Sequence, residues 1–253
     1  MGVVGCCGSR EWGSGWPLAS ESFLDLIYAH KGNYVHIRTG PFSEQAPQGR
    51  QYAADRIIPL LIETVKMAME RGIYVEVDTV DAWVLERPHL SWWNDSCKVL
   101  SGPPQKRHID WVDTLVEALG PYPNVFFQIG NETFDCQGML VPEWEEGIRD
   151  AIKEAYRKRG RVAPPIGTNS HDPFLESEMD YIARHGVYVV SPGAGPTIVN
   201  EYNPNPPLTA SRWRELAIAN KRNGVAFMLW RHSMGDVEFE KALRFMREII
   251  ETP

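Results

Sequence analysis

Residues 125–135 read VFFQIGNETFD. A short run of large apolar residues stops at Gly130 and is followed at once by an amide, Asn131, and a carboxylate, Glu132. Four to six nearly continuous apolar residues suit a parallel strand buried on both faces. The pattern around this run repeats along the chain as helix, glycine, short apolar strand. Glycines 32, 72, 120, 160, 186 and 224 each follow an amphipathic segment and precede a strand-like run. Glycine suits the position just past a helix end, where positive φ is often needed. The runs are VVGCC (3–7), YVHIR (34–38), IYVEVD (73–78), NVFFQI (124–129), APPIGT (163–168), VYVVS (187–191), TIVNE (197–201) and VAFMLW (225–230).

Helical stripes fill the spaces between them: Leu61, Val65 and Ala68; Ile109, Val112, Val116 and Leu119; Trp144, Ile148, Ala151 and Ala155; Phe239, Leu243, Met246 and Ile250. One helix is marked at both ends. Pro142 suits its first turn, Glu143, Glu145 and Glu146 complement the positive end of its dipole, and Arg157, Lys158 and Arg159 precede Gly160. Alternating strands and helices over 253 residues predict an α/β fold, a compact (β/α)8 TIM barrel spanning 1–253 as a single domain. Too few residues separate the sixth and seventh strands for a helix, so that helix is expected to be missing.

Composition excludes several classes of function. The formal net charge is −7, against the clustered Lys and Arg that nucleic-acid phosphates require. No apolar run approaches the ~20 residues of a membrane span. The N-terminus MGVVGCC lacks the basic and apolar regions of a signal peptide and has Cys6 where a myristoylation signal needs Ser or Thr. It reads as a first strand. Such an abrupt start suggests a trimmed domain whose secretion signal or further modules lie elsewhere. Four cysteines make no disulfide scaffold, although Cys97 and Cys136 fall in consecutive loops where a bridge or two free thiols are equally compatible. No metal or cofactor motif is present, and a monomer is expected.

In a barrel of this kind the active site lies at the C-terminal strand ends. The fourth strand ends in Asn131-Glu132 and the seventh in Asn200-Glu201. Arg38, Asp78 and Trp230 end the second, third and eighth. Two carboxylates facing each other across a barrel mouth are what glycoside hydrolysis needs: one protonates the leaving oxygen, the other attacks or activates water.

GNE at 130–132, the glutamate of VNEYNP at 199–204, HIRTGPF at 36–42 and FMLW at 227–230 resemble the clan A glycoside hydrolases, which include the family 5 cellulases and mannanases. The resemblance implies a retaining β-glycoside hydrolase without cofactor, acting on a β-linked oligo- or polysaccharide. It assigns Glu132 as acid/base and Glu201 as nucleophile. Asn131 would then meet the sugar 2-OH, Arg38 would sit near the nucleophile, and Trp230 would lie under the sugar. Asp78, His171, Tyr202 and Trp83 complete the expected substrate contacts. Two features depart from the family 5 pattern: Asp78-Thr79-Val80 has no histidine, and VYVVSPG lacks His-x-Tyr, which leaves Tyr202 as the substitute tyrosine beside the nucleophile.

The same residues have plainer readings. Glu132 could be a helix-start carboxylate, Glu201-Tyr-Asn-Pro a turn, Arg38 a loop ion pair and Trp230 barrel packing. Trp12, Trp16, Trp83, Trp92 and Trp93 lie in loops, where tryptophan stacks on sugars or pins the loop. Trp111, Trp144 and Trp213 fall on helices and are expected in the core. Strand alternation turns His36, Glu76 and Gln128 into the barrel as a supporting polar network. A metal-dependent hydrolase would want His-x-His on the first strand, which VVGCC lacks. The alternative of a different class is a non-catalytic carbohydrate-binding TIM barrel, which would keep the tryptophans and dispense with a glutamate.

Overall fold

The computed structural model describes residues 21–37, 58–80, 100–131, 133, 141–170, 176–185, 196–201, 209–227 and 236–251. Among them are seven strands: β1 (Tyr34–Ile37), β2 (Tyr74–Asp78), β3 (Val125–Gln128), β4 (Ile166–Thr168), β5 (Tyr181–His185), β6 (Thr197–Glu201) and β7 (Ala226–Phe227). They form one sheet in the order β1 to β7, and every pairing is parallel. The helices are α1 (Glu21–Ala29), α2 (Ile58–Glu70), α3 (Lys106–Leu119), α4 (Pro142–Lys158), α5 (Ala210–Arg222) and α6 (Asp236–Glu251). The expected first strand, 3–7, lies outside the described residues. Observed β3 and β6 are therefore the expected fourth and seventh strands.

The sheet is curled. Tyr34 of β1 and Tyr181 of β5 both donate to the Glu76 carboxylate on β2. In a flat sheet β5 would stand about 14 Å from β2, three spacings of about 4.8 Å, beyond the reach of a tyrosine and a glutamate meeting at one point. Sequential parallel order, helices between strands and this curl make the fold an α/β barrel of the (β/α)8 type, as the alternating pattern predicts.

Side-chain period explains the packing. In α4 the apolar positions Trp144, Ile148, Ile152 and Ala155 recur at three- and four-residue steps and are all buried. Pro142 opens the helix, and Gly160 just beyond it takes φ 65°. Trp111, Trp144 and Trp213 are all in the core, and Trp144 Nε1 donates to His108 Nδ1 of α3 at 3.0 Å. In α3 the expected Val112, Val116 and Leu119 are buried, and one member of the stripe departs. Ile109 is 41% exposed, while His108, Trp111, Val112 and Leu115 form the buried face of α3. The large rings of Trp111 and Trp144 bury more apolar area than Ile109 offers, so they decide which face turns inward.

A second difference concerns the sixth strand. The described strand is Tyr181–His185, which the glycine pattern assigns to a helix end before Gly186; 187–191 lie outside the described residues, as does the stretch where a helix was expected to be missing. Tyr181 explains the outcome. Its hydroxyl reaches the buried Glu76, and the carboxylate of Asp180 accepts from the Ile166 N–H at 2.9 Å, tying this segment to β4. A tertiary contact overrides a local helical pattern. The glycine signal also slips twice: at the end of α1 it is Lys31 that takes φ 59°, and Gly120 after α3 takes φ −58°.

Gly167 on β4 is required for a steric reason. A Cβ there would overlap the ring of Tyr181, which cannot retreat while its hydroxyl is held by Glu76. Gly167→Ala is expected to destabilise the fold by about 1–3 kcal/mol, the usual cost of overpacking. Urea denaturation checks this; an unchanged midpoint would show that the ring is free to move.

Candidate active site

The barrel interior is polar at mid-height. His36, Glu76, Asp78 and Gln128 are fully buried. Glu76 receives the hydroxyls of Tyr34 and Tyr181. His36 Nε2 lies 2.7 Å from Asp78 Oδ1 and 4.0 Å from Glu76 Oε2, so one imidazole stands between two carboxyl groups. Gln128 Nε2 donates to the Gly130 carbonyl at 3.1 Å. Loss of water pushes the Glu76 carboxyl above its ordinary range, although the charge of His36 opposes this. Burial, with the nearby Glu76 charge, raises both tyrosine hydroxyls well above theirs. This is the supporting network expected from strand alternation, extended by two tyrosines.

Above it, the end of β3 is tied from several sides. Ile129 N–H donates to the Gly167 carbonyl at 2.9 Å, and the Thr79 hydroxyl donates to the Ile129 carbonyl. Asn131 N–H donates to the Val80 carbonyl at 2.8 Å. Thr133 packs directly on Gly130, where a Cβ would come within 2.6 Å of Thr133 Cγ2. The Thr133 hydroxyl donates to Glu145 Oε1, and Thr168 Oγ1 donates to Glu145 Oε2 at 2.9 Å. Glu145 is 1% exposed and stands in the first turns of α4, where the helix dipole favours a negative charge.

The end of β6 has its own irregularity. The β5–β6 register shifts between Arg184 and His185, so that His185 pairs with Glu201 after Arg184 has paired with Val199. An extra residue at a strand end bends the strand and re-aims the side chains beyond it, a device common beside active sites.

Of the residues singled out from sequence, Asn131 and Asp78 are described and fully buried. Glu201 is described in its backbone as the last residue of β6. Glu132, Arg38, Trp230, His171, Tyr202 and Trp83 lie outside the described residues, as do Cys97 and Cys136. Asp78 is engaged by His36 at the C-terminal end of β2. Sequence reasoning missed Tyr34, Tyr181, Thr133 and Thr168, and it read Glu145 as a dipole complement. A signal for Glu145 existed: it shares the i, i+3, i+7 face of Ile148 and Ile152, a buried stripe that an unpartnered carboxylate would not join.

Among the described residues no group of three His, Cys, Asp or Glu is arranged to hold a metal ion, and no helix is long and apolar enough to cross a membrane. A cavity of about 530 Å³ lies at the opposite end of the barrel, against the N-terminal strand ends at Tyr34, Phe126, Tyr181, Ile198 and Val225. Catalytic residues of such barrels stand at the C-terminal ends, so the cavity is not the candidate site despite its size.

The chain matches no family model and no curated protein. Solved structures do resemble it. A GH5_18 structure from Streptomyces cattleya in complex with GlcNAc superposes with a TM-score of 0.68 at 16% identity, covering 100% of this chain and 82% of that one. The endo-β-1,4-glucanase of Xanthomonas axonopodis pv. citri gives 0.66 at 13% identity, covering 98% of each chain. A family 5 glycoside hydrolase from Bacteroides vulgatus ATCC 8482 gives 0.58 at 11% identity; 90% of this chain is covered, but it spans only 58% of that protein's length. Identities this low speak to the fold. The chain has a clan-A-like, family 5-related glycoside hydrolase fold, and within it two glutamates, Glu76 and Glu145, are buried.

Proposed function

We propose that this protein is a retaining β-glycoside hydrolase acting on a β-linked oligo- or polysaccharide, with Glu132 as acid/base and Glu201 as nucleophile. The observation that carries the reading is the geometry of two strand ends. β3 and β6 run parallel in one curled sheet, so their C-terminal ends open on the same face. Asn131, tied by its N–H to Val80, immediately precedes one glutamate, and the register shift of β6 ends at the other. Glu201 attacks the anomeric carbon as the glycosidic C–O bond breaks, while Glu132 passes its proton to the departing oxygen. Water, deprotonated by Glu132, then releases the sugar from Glu201. Asn131 meets the 2-OH; Arg38 keeps Glu201 ionised; Trp230 and Trp83 stack on the sugar; Asp78, His171 and Tyr202 complete the contacts. The similarity to an endo-β-1,4-glucanase favours a β-1,4-linked glycan.

Glu76 and Glu145 are better suited to support than to chemistry. Each carboxylate already receives two hydroxyl groups. They also face opposite sides of the sheet: Glu76 meets Tyr34 and Tyr181 inside, while Glu145 reaches Thr168 from α4 outside.

The test is a screen of aryl β-glucosides, β-mannosides, β-N-acetylglucosaminides and β-cellobiosides, with the anomeric product followed by proton NMR. The β-anomer should appear first. Initial α-anomer would mean inversion. Binding without turnover on every substrate would favour the non-catalytic carbohydrate-binding barrel.

A further inference from the structure

We infer that Glu145 is a positioning residue for the acid/base: it clamps Thr133 and Thr168 together and so fixes the residue that follows Glu132 in the chain. The inference rests on the glycosidase reading and adds residues to its machinery.

Three facts lead to it. First, Glu145 is a buried carboxylate whose two oxygens go to two different strand ends, Thr133 after β3 and Thr168 at the end of β4. Burying a carboxylate where an apolar residue would pack is costly, and it is offset here by two directed hydroxyls and the N-terminal end of α4. Secondly, Thr168 is itself committed. Its oxygen accepts from the Ser170 N–H at 2.9 Å, and the neighbouring Asn169 Nδ2 donates to the Ala183 carbonyl at 3.0 Å. The clamp is thus anchored in β4 and β5. Thirdly, residues 131 and 133 are both tied. Asn131 is tied to Val80 on one side, and Thr133 is tied to Glu145 while seated on Gly130 on the other. Both chain neighbours of Glu132 are thus held in place.

The anchor is rigid. Glu145 N–H donates to the Val141 carbonyl at 3.0 Å, and Trp144 beside it is locked to His108. A Cβ on Gly147, two residues along, would overlap Pro104, so α4 is pressed onto the segment before α3. A general acid must sit within hydrogen-bond reach of the oxygen it protonates, and misplacement by about 1 Å can cost on the order of 100-fold. A clamp on the neighbouring residue is therefore worth more to catalysis than to stability.

The experiment compares kcat/KM, which reports the step where the leaving group departs, for two aryl β-glycosides of the sugar selected by the screen. One carries 2,4-dinitrophenolate, which leaves without protonation; the other carries phenolate, which needs the acid. Thr133→Val keeps the shape on Gly130 and removes the hydroxyl. Glu145→Gln keeps the shape and removes the charge. Both should lower kcat/KM on the phenyl glycoside by roughly 10- to 100-fold, while the dinitrophenyl glycoside changes little. Thr133→Ser, which restores the hydroxyl, should recover most of the loss.

An equal loss on both substrates would mean that Thr133 only stabilises the fold, and the inference would fall. It would also fall if Thr133→Ser behaved like Thr133→Val. Glu132→Ala, run alongside, separates the two levels. If it lacks leaving-group dependence, the acid/base assignment fails and takes the clamp with it. If it shows that dependence and the Thr133 and Glu145 variants do not, the clamp alone fails.

Discussion

Glu201→Ala is expected to abolish turnover, with a fall in kcat on the order of 10⁴–10⁶, as when a nucleophile is removed from an enzyme that keeps its binding groups. Glu132→Ala should lose less, about 10²–10⁴, because only proton transfer is removed. The two variants should also respond differently to azide. In Glu201→Ala the small anion takes the space of the missing carboxylate, attacks once, and leaves an α-glycosyl azide. In Glu132→Ala the glycosyl-enzyme still forms from an activated substrate, but no base remains to activate water. Azide needs no base, so it discharges the intermediate and gives the β-glycosyl azide. Identifying the two products by NMR fixes both roles in one experiment. If Glu76→Gln or Glu145→Gln gave these products instead, the chemistry would belong to the buried pair.

Replacing Glu76 should have the largest effect on stability. Glu76→Ala removes the shared acceptor of two buried tyrosine hydroxyls and leaves a space between β1, β2 and β5. The Tyr181 hydroxyl keeps the Phe127 carbonyl at 3.0 Å, but a stranded Tyr34 hydroxyl, at about 1–3 kcal/mol, and the lost packing together give an expected loss of about 2–4 kcal/mol, read from urea denaturation. Glu76→Gln is the informative partner because it isolates charge. Burial, opposed by His36 and reinforced by Asp78, raises the folded-state pKa of Glu76 above its ordinary 4.5. The folded protein therefore holds this proton more tightly than the unfolded chain does. Stability linked to Glu76 is fully present below about pH 4.5 and falls as pH rises from there towards the folded pKa. The stability of Glu76→Gln relative to wild type should accordingly increase with pH across that window. A relative stability that decreases with pH would mean that the two tyrosines and His36 stabilise the carboxylate more than burial penalises it.

Most of the barrel was legible in the chain because its signals are local. Apolar runs bounded by glycine located β1, β2, β3, β4, β6 and β7, and the caps at Pro142 and Gly160 located α4. The same local logic failed at β5. Tyr181–His185 carries a pattern that a helix could also bear, and its strand identity depends on Tyr181 meeting a glutamate 105 positions away. On α3 the stripe held at Val112, Val116 and Leu119 and missed only at Ile109, at the edge of a face that also takes in Trp111. Strand alternation did place His36, Glu76 and Gln128 inside the barrel, since a period of two is a property of the backbone.

The candidate site divides along the same line. By itself the sequence determined that Glu132 follows the fourth expected strand and that Glu201 ends the seventh, which is why these two are proposed as the reacting pair. It also determined the composition and the formal net charge of −7. Only the tertiary structure decided what surrounds those strand ends. Thr133, Glu145 and Thr168 are far apart in the chain, and two hydroxyls meet one carboxylate only because α4 docks across β3 and β4. Tyr34 and Tyr181 converge on Glu76 only because the sheet curls. A residue's period follows from its neighbours in sequence, whereas a hydrogen-bond partner follows from how far the sheet bends and where a helix lands on it.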